Sequence, residues 1–433
     1  MRASSFIGIA MAIVLGFGML GAGSAFAATD AANQAPEAIQ DAALTTAATK
    51  ASKPAKPSKK QLKAFKKASA DFSLELFNRC VAAKGKNANV TIAPMSVMTA
   101  LAVTANGAGG KTAKQMRKVL GDGATIAQIN KDLQWYNSKL VNTKKAQISS
   151  ANAIWYDNQG SLKMKKAFLK AAQKYYNAAV SPSDFSDPAT VDEVNSWVAE
   201  HTNNMIKRVI EQLDPADRVA IVNALYFDAE WRVPYDASDS NEAVFTAANG
   251  KKRKVKMMYG TEQKYIEGNG VTGFIKPYAK GYSYVALLPD KGVSLKKLVS
   301  KLDGDAFCKL ISGATKETVK TALPKYSLSY SNDEMEQQLI AMGMPRAFAR
   351  NANFTKMGTD SSGNLYLGSV VHKTKIDVDE RGTKAAAVTA VVAKANSALI
   401  DVKTVRLDRP FVYAIIDNTT KLPVFIGTVN DIK

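Results

Sequence analysis

The chain has 433 residues, 46% hydrophobic and 22% charged, so it carries enough apolar surface to bury a large core. Its 58 Lys and Arg against 38 Asp and Glu give a net charge of +20, which favours anionic glycans or cell-wall polymers as partners, although solubility alone also explains it. The charge comes without a nucleic-acid motif, and the two cysteines offer no metal-ligand spacing, so we expect neither nucleic acid nor a cofactor.

The first 27 residues have the pattern of a secretory signal peptide. An early Arg precedes an apolar run from Phe6 to about Leu20, and Ala25-Phe26-Ala27 is a small-x-small cleavage site. We therefore predict a secreted, extracellular protein, cut near Ala27; a retained membrane anchor is the alternative. Residues 28–60 are rich in Ala, Thr, Pro and Lys, with too few large apolar side chains to order themselves, and are predicted to be a disordered linker.

Helical patterns dominate the first half of the remaining chain. Apolar residues recur at helical spacing from Gln61, and Pro94 opens a stretch that is apolar on all sides, which is typical of a buried helix. Strand patterns dominate the second half: residues 219–227 and 282–289 are short apolar runs, residues 371–379 alternate, and residues 410–429 read as two strands around a turn. The sequence predicts an α+β fold with mostly antiparallel sheets.

Motifs for catalysis are missing from the sequence. It has no G-x-S-x-G, no H-E-x-x-H, no phosphate loop and no dinucleotide fingerprint. His201 is predicted on a polar helix face, where a solvated side chain is expected, and His372 on the inward face of an alternating strand, where a hydrogen-bonded structural histidine is expected. We expect a protein that is not an enzyme. Whether Cys80 and Cys308 form a disulfide is left open.

One segment carries a resemblance to a known family. "DERGTKAAAVTAVV" resembles the hinge of the reactive-centre loop of serpins, the serine protease inhibitors. "NVTIAPMSVMTALAVTANGAGGKTAKQM", "VNALYFDAEWRVPYD", "LYLGSVVHKTKIDVDERGT" and "DRPFVYAII" also look like serpin segments, in family order. The resemblance covers residues 61–433, the predicted serpin domain. It implies three β-sheets, eight or nine helices and an exposed loop.

The resemblance also implies a mechanism. A target protease cuts the loop and is trapped as an acyl-enzyme, because the cut loop inserts into the central sheet as a new strand. Alternation puts only small, uncharged residues from Thr383 to Ala395 on one face of that strand, and both lysines on the other. The hinge residues implied by the resemblance are Glu380, Gly382, Thr383, Lys384, Ala385, Ala386, Ala387, Val388 and Thr389.

The usual loop length of inhibitory serpins places the reactive bond between Asn396 and Ser397. A shift of one or two residues would instead offer Ala395 to an elastase-like enzyme or Lys394 to a trypsin-like one. We favour elastase- or subtilisin-like serine proteases as targets and expect a monomer. The rival interpretation is a non-inhibitory serpin-fold carrier or binding protein that uses its basic surface.

Further positions are assigned by the same resemblance. Ser96, Asn223 and His372 match the shutter beneath the opening point of the central sheet, and Trp231 matches the breach at its top. Ala93 stands where serine is usual, and Lys384 where Glu is commoner. Four basic residues match a helix that binds heparin-like glycans in some serpins, although a solvated face also explains them: Lys111, Lys114, Arg117 and Lys118.

Overall fold

A computed structural model describes residues 7–16, 54–85, 87–214, 216–268, 270–382 and 402–433, with the side chains of Ala12 and Ile13 alone in the first range. The cleavage site, most of the predicted linker, the hinge from Thr383 onward and the predicted reactive bond with its alternates lie outside these ranges.

The described residues form nine α-helices and one short 3₁₀ helix (Pro345–Phe348). The helices are α1 (Lys59–Lys84), α2 (Pro94–Ala105), α3 (Gly110–Gly121), α4 (Ile126–Asn137), α5 (Lys166–Tyr176), α6 (Pro188–His201), α7 (Leu295–Ser300), α8 (Gly304–Ser312) and α9 (Met335–Ala341).

Nineteen strands accompany these helices in the described part of the chain. They are β1 (Ile7–Gly16), β2 (Val90–Ile92), β3 (Asn142–Thr143), β4 (Ala146–Asp157), β5 (Lys163–Met164), β6 (Ala179–Ser183), β7 (Asp217–Ala229), β8 (Ser240–Thr246), β9 (Lys252–Glu262), β10 (Tyr265–Gly268), β11 (Val271–Pro277), β12 (Tyr282–Pro289), β13 (Val319–Pro324), β14 (Tyr326–Asn332), β15 (Gly358–Thr359), β16 (Tyr366–Val378), β17 (Lys403–Arg406), β18 (Phe411–Asp417) and β19 (Pro423–Val429).

The strands form three large sheets and one two-stranded pair. The central sheet has the order β14-β16-β1-β7-β4-β3, with β6 also paired to β4; the second is β10-β11-β12-β18-β19-β2 and the third β17-β13-β9-β8. The predicted α+β fold with three sheets and eight or nine helices is confirmed. The β18–β19 hairpin and the alternation in β16, where His372, Thr374, Ile376 and Val378 are all buried, are confirmed as well.

The boundary of the first helix differs from the sequence prediction. The linker was expected to reach residue 60, but α1 begins at Lys59, because Ser58 and Gln61 form a capping box around its first turn. None of the helices in the described ranges is long and apolar enough to cross a bilayer. Cys80 and Cys308, on α1 and α8, are both free, so the structure contains no disulfide between them.

The middle of the central sheet holds a strand that the sequence analysis did not predict. The apolar run assigned there to a signal peptide supplies β1, which is antiparallel to β16 on one side and to β7 on the other. We call the space between β7 and β16 the central slot. Ile13 joins the core cluster that includes α2, and Ala12 joins the cluster that includes α6 on the other face, so the slot is buried on both faces.

Candidate functional site

Residues 379–382, where the predicted reactive loop begins, form a tight turn directly after β16. The backbone N–H of Asp379 donates to the carbonyl oxygen of Gly382 at 3.2 Å, and the Asp379 carboxylate accepts from the N–H of Arg381 at 2.9 Å. Gly382 also forms an antiparallel bridge with Glu230, just beyond the end of β7. The turn therefore spans the mouth of the central slot, touching both of the strands that border it.

Trp231, the predicted breach residue, holds this turn through its backbone and its ring. Its N–H donates to the carbonyl oxygen of Arg381 at 2.9 Å, and its indole Nε1–H donates to the carbonyl oxygen of Asp379 at 2.9 Å. The ring is buried and stacks on Tyr278, with 4.4 Å between centroids. Trp231 therefore holds Asp379 and Arg381, which flank the predicted hinge residue Glu380, and does more than fill the core.

Glu380 adds an ion pair to the hinge. Its carboxylate lies 3.1 Å from Lys325 Nζ and 3.7 Å from Lys256 Nζ, with only 12% of the side chain exposed. Burial alone would raise the pKa of Glu380, but a hydrogen bond to its own backbone and the two lysines together hold that pKa below its usual value. Glu380 is therefore charged at neutral pH and ties the loop to β9 and to Lys325, which precedes β14.

Position 382 requires glycine for two reasons: its φ is positive, and the backbone around the end of β7 lies too close for a Cβ atom. Its φ is +136°, and a Cβ atom there would lie 2.3 Å from the carbonyl oxygen of Ala229 and 2.7 Å from Cα of Glu230. We expect Gly382→Ala to lower the free energy of unfolding by roughly 1–3 kcal/mol, because the backbone of β7 would have to move. Urea unfolding of the purified variant measures this loss.

Gly250→Ala is the matched control for Gly382→Ala. Gly250 also has a positive φ, of +81°, but nothing lies within 4 Å of its Cβ position. The control therefore reports backbone strain without the steric conflict, and a loss as large in Gly250→Ala as in Gly382→Ala would contradict the close approach.

The predicted shutter residues lie at one level of the central sheet, on either side of β1. Asn223 on β7 and His372 on β16 are both opposite Met11 in the strand register. Asn223 accepts a hydrogen bond from the Ser96 hydroxyl and donates to Asn152 Oδ1 at 2.8 Å and Ser150 Oγ at 3.0 Å. Ser96 and Asn223 are therefore joined directly, whereas β1 separates His372 from them.

His372 contacts the start of α2, the helix that contains Ser96. Its Nε2 accepts from the backbone N–H of Ala93 at 3.2 Å, while its buried Nδ1 has no hydrogen-bond partner among the described residues. Ala93 is the N-cap of α2 and has no side chain that can cap it, so the hydroxyl that the family usually supplies is missing here. His372 on β16 and Asn223 on β7 thus anchor the start of α2 from two different strands, through Ala93 and Ser96 respectively.

Burial of His372 makes stability depend on pH. It lowers the pKa of His372 from 6.5 to about 3, so below pH 6.5 the unfolded chain binds a proton that the folded chain does not. Above pH 6.5 this histidine is neutral in both states and has no effect on the pH dependence of stability. As pH falls from 6.5 toward 3, protonation of the unfolded chain lowers the free energy of unfolding by about 1.4 kcal/mol per pH unit. We expect His372→Gln to reduce the pH dependence of unfolding between pH 6 and pH 4 by about that slope.

His201→Gln is the control for this measurement, because His201 is the only other histidine in the sequence. It is half-buried on α6, stacks on Trp197 and contacts the Trp197 carbonyl oxygen at 2.8 Å, so it is less solvated than the sequence analysis expected. Unfolding curves of both variants at pH 7, 6, 5 and 4 with equal slopes would contradict the assignment to His372.

The four basic residues of the predicted polyanion site lie together on α3. Lys111, Lys114 and Lys118 are exposed, Lys118 forms an ion pair with Asp122, and Arg117 is half-buried with its Nε shielded from solvent. Three of the four side chains are thus accessible to an acidic partner.

The sequence analysis missed a buried ion pair beneath Trp231. Lys276 Nζ lies 2.7 Å from a carboxylate oxygen of Glu262, 5.3 Å from the centroid of the Trp231 ring and 4.1 Å from that of Tyr235. Only 3% of Lys276 and 7% of Glu262 are exposed. In the sequence both look like ordinary surface charges, and only the packing of β9 against β11 brings them together.

Comparison with known proteins agrees with this architecture. Residues 67–432 match the serpin family model, described as serine protease inhibitors. The chain is 30% identical to a serine protease inhibitor of Cyanea capillata, over 83% of this chain and 97% of the relative.

Two solved structures are similar in fold and length. The thermophilic serpin tengpin in its native state has a TM-score of 0.80 and 40% identity, with 87% of this chain and 96% of tengpin covered. Human thyroxine-binding globulin has a TM-score of 0.76 and 25% identity, with 86% and 100% covered. The chain belongs to the serpin family, which confirms the resemblance. The family model describes protease inhibitors rather than catalysts, which broadly supports the expectation that this protein is not an enzyme.

Proposed function

We propose that the protein is an exported serine protease inhibitor that acts as a suicide substrate. A protease would cut the loop between Asn396 and Ser397, or at Ala395 or Lys394, and form an acyl-enzyme. The cut loop would then enter the central slot before water releases the protease. The inhibitor supplies no catalytic group; it distorts the triad and oxyanion hole on which deacylation depends.

The observation that carries this proposal is the geometry of the central slot. β1 demonstrates that one strand fits between β7 and β16, antiparallel to both. Gly382 is already bridged to Glu230 on one side and to Asp379 on the other. If both bridges are extended residue by residue, Thr389 comes opposite Asn223 on β7 and opposite His372 on β16. The two edges independently give the same register, as a real insertion site requires.

This register accounts for the unusual lysine in the hinge. Lys384 would come opposite Asp228 on β7 and Asp377 on β16, both half-buried, so its ammonium group would lie between two carboxylates. We expect Lys384→Glu to increase the fraction of cleaved, untrapped inhibitor two- to fivefold, because like charges then meet across the sheet.

Lys384→Met is the control for charge reversal, because it keeps the length of the side chain without its charge. The ratio of inhibitor consumed to protease trapped measures the effect. Equal ratios for the wild type and Lys384→Glu would argue against this register.

The rival function is a carrier or binding protein, in keeping with the likeness to thyroxine-binding globulin. The hinge favours inhibition, because residues 383–395 contain no proline, aromatic or acidic residue, and the face with Thr383 holds only small, uncharged ones. The basic residues of α3 remain a candidate surface for anionic glycans or cell-wall polymers under either function.

The decisive experiment is incubation of residues 28–433 with neutrophil elastase, a subtilisin and trypsin. We expect a complex that survives denaturing electrophoresis with an elastase- or subtilisin-like enzyme, and a released C-terminal peptide that begins with Ser397. Mass spectrometry of that peptide identifies the reactive bond. If the loop were cut without any complex, and the cut protein melted at an unchanged temperature, the carrier function would replace inhibition.

A further inference from the structure

The strand that fills the central slot in this structure comes from the part of the chain predicted to be removed on export. β1 pairs with β16 from Gly8 to Gly16 and with β7 from Ile7 to Gly16, so nearly all of its main chain lies in the two ladders. A strand bonded on both edges in the middle of a sheet has no free edge of its own. The slot is therefore fully occupied at these levels.

β1 and the reactive loop compete for the same positions. In the register set by the Gly382 bridges, residues 385–392 would take the places of residues 7–14, the part of β1 before its register shifts, and Thr389 would replace Met11 between Asn223 and His372. Both segments would run in the same direction, antiparallel to both neighbours. One slot accommodates only one strand, so the two occupants exclude each other.

The two segments also match in the side chains that the slot receives. Ala12 and Ile13 are completely buried, Ala12 beneath α6 and Ile13 toward α2. In the loop register Ala390 and Val391 would take these two positions. An alanine replaces an alanine and a valine an isoleucine, so the same packing accepts either segment.

We propose that, in the unprocessed chain, Ile7–Gly16 holds the central slot and prevents insertion of the loop until the N-terminal segment is removed. The consequence for inhibition rests on the proposed function; occupation of the slot does not. Removal leaves the facing edges of β7 and β16 with unpaired backbone groups, which must then pair with each other or receive a strand. The part of the chain that matches the family, residues 67–432, does not include β1, so the serpin unit is complete without it.

The first test is hydrogen exchange of the full chain, made by cell-free translation without a signal peptidase. We expect the amides of residues 7–16 to exchange at least a hundredfold more slowly than those of an unstructured chain. Ala12→Arg should remove this protection, because a charged side chain cannot enter the apolar contact beneath α6. Ala55→Arg, at an exposed position in the segment before α1, should leave it intact.

The second test compares trapping by the full chain and by residues 28–433. With the protease that the shorter chain captures, the full chain should give at most a tenth of the complex and should be cut as a substrate instead. Ala12→Arg in the full chain should restore the complex, and Ala55→Arg should not. A synthetic peptide with the sequence of residues 7–16 and two added lysines should block residues 28–433, whereas a scrambled peptide should not.

The outcomes separate this inference from the proposed function. Unprotected amides in residues 7–16, or equal trapping by the full and the shortened chain, would overturn the inference and leave inhibition standing. A shortened chain that is cut but never trapped would overturn inhibition. Protection of residues 7–16 that Ala12→Arg abolishes would still support their occupation of the slot in that case, because this measurement uses no protease.

Discussion

Replacing Thr383 by Arg is expected to turn the inhibitor into a substrate. In the register proposed for insertion, Thr383 lies opposite Ala229 and Val378, both of which are completely or almost completely buried. An arginine there would have to enter the sheet without a partner, which costs several kcal/mol and slows entry of the strand. We expect the yield of covalent complex to fall at least tenfold while the loop is still cut at the same bond.

Lys384→Arg is the matched control for Thr383→Arg. It places the same guanidinium group one residue further along, on the face where Asp228 and Asp377 would flank it. Trapping should therefore remain within about twofold of the wild type. Full trapping by Thr383→Arg would show that this face of the hinge does not become buried, and the insertion mechanism would be wrong for this protein.

Lys276→Met is expected to destabilise the fold strongly, because it breaks a buried ion pair. It would leave the Glu262 carboxylate buried without its cation and would remove the hydrogen bond from Nζ to the Val233 carbonyl oxygen at 2.9 Å. Burial lowers the pKa of Lys276 and raises that of Glu262, and each partner opposes the shift of the other. Breaking such a pair costs roughly 3–5 kcal/mol, which urea unfolding at pH 7 would measure.

Two further variants make the Lys276→Met measurement specific. Adding Glu262→Gln should recover at least about 2 kcal/mol, because the remaining side chain no longer carries an uncompensated charge. Lys254→Met breaks the ion pair with Glu242, in which the side chains are 81% and 67% exposed, and should cost well under about 1 kcal/mol. A similar loss in Lys254→Met and Lys276→Met would mean that burial does not strengthen the Lys276 pair.

The effect of Lys276→Met should extend to the hinge. The ammonium group lies against the ring of Trp231, whose backbone and indole hold the carbonyl groups of Arg381 and Asp379. Loss of this support should therefore appear as faster hydrogen exchange at residues 379–382, in addition to the lower global stability.

Local patterns in the sequence were sufficient to predict much of the fold. Strict alternation identified β16 and its buried face, and a helix apolar on all sides identified α2, whose twelve residues are all buried. Each of these signals depends on near neighbours in the chain, which a single sequence contains. The positions assigned by the family resemblance could also be located from the sequence, because Trp231, Glu380 and Gly382 belong to short recognisable motifs.

The features that the sequence analysis missed depend on pairing between distant segments. Ile7–Gly16 is an apolar run of the kind that a signal peptide, a helix or a central strand can each contain, and its composition does not reveal that it pairs with strands more than 200 residues away. The Lys276–Glu262 pair was missed for a different reason, since its partners are only 14 residues apart but meet through the packing of two sheets. Neither the register between distant strands nor the packing of one sheet on another is encoded in a local pattern.

Helix α6 crosses one face of the central sheet, and its position has a consequence for timing. Val191, Val194, Trp197 and Val198 of α6 share an apolar cluster with Ala12 and with β4 and β7. Beyond the helix, Glu211 is tied to Lys373 on β16 by a 2.9 Å ion pair. A strand that enters the central slot after folding would therefore have to pass beneath α6. The helix would have to move away from the sheet and then pack against it again. Under the proposed mechanism, that movement would have to be completed before water hydrolyses the acyl-enzyme, so the packing of α6 on the sheet would help to set the yield of trapped protease.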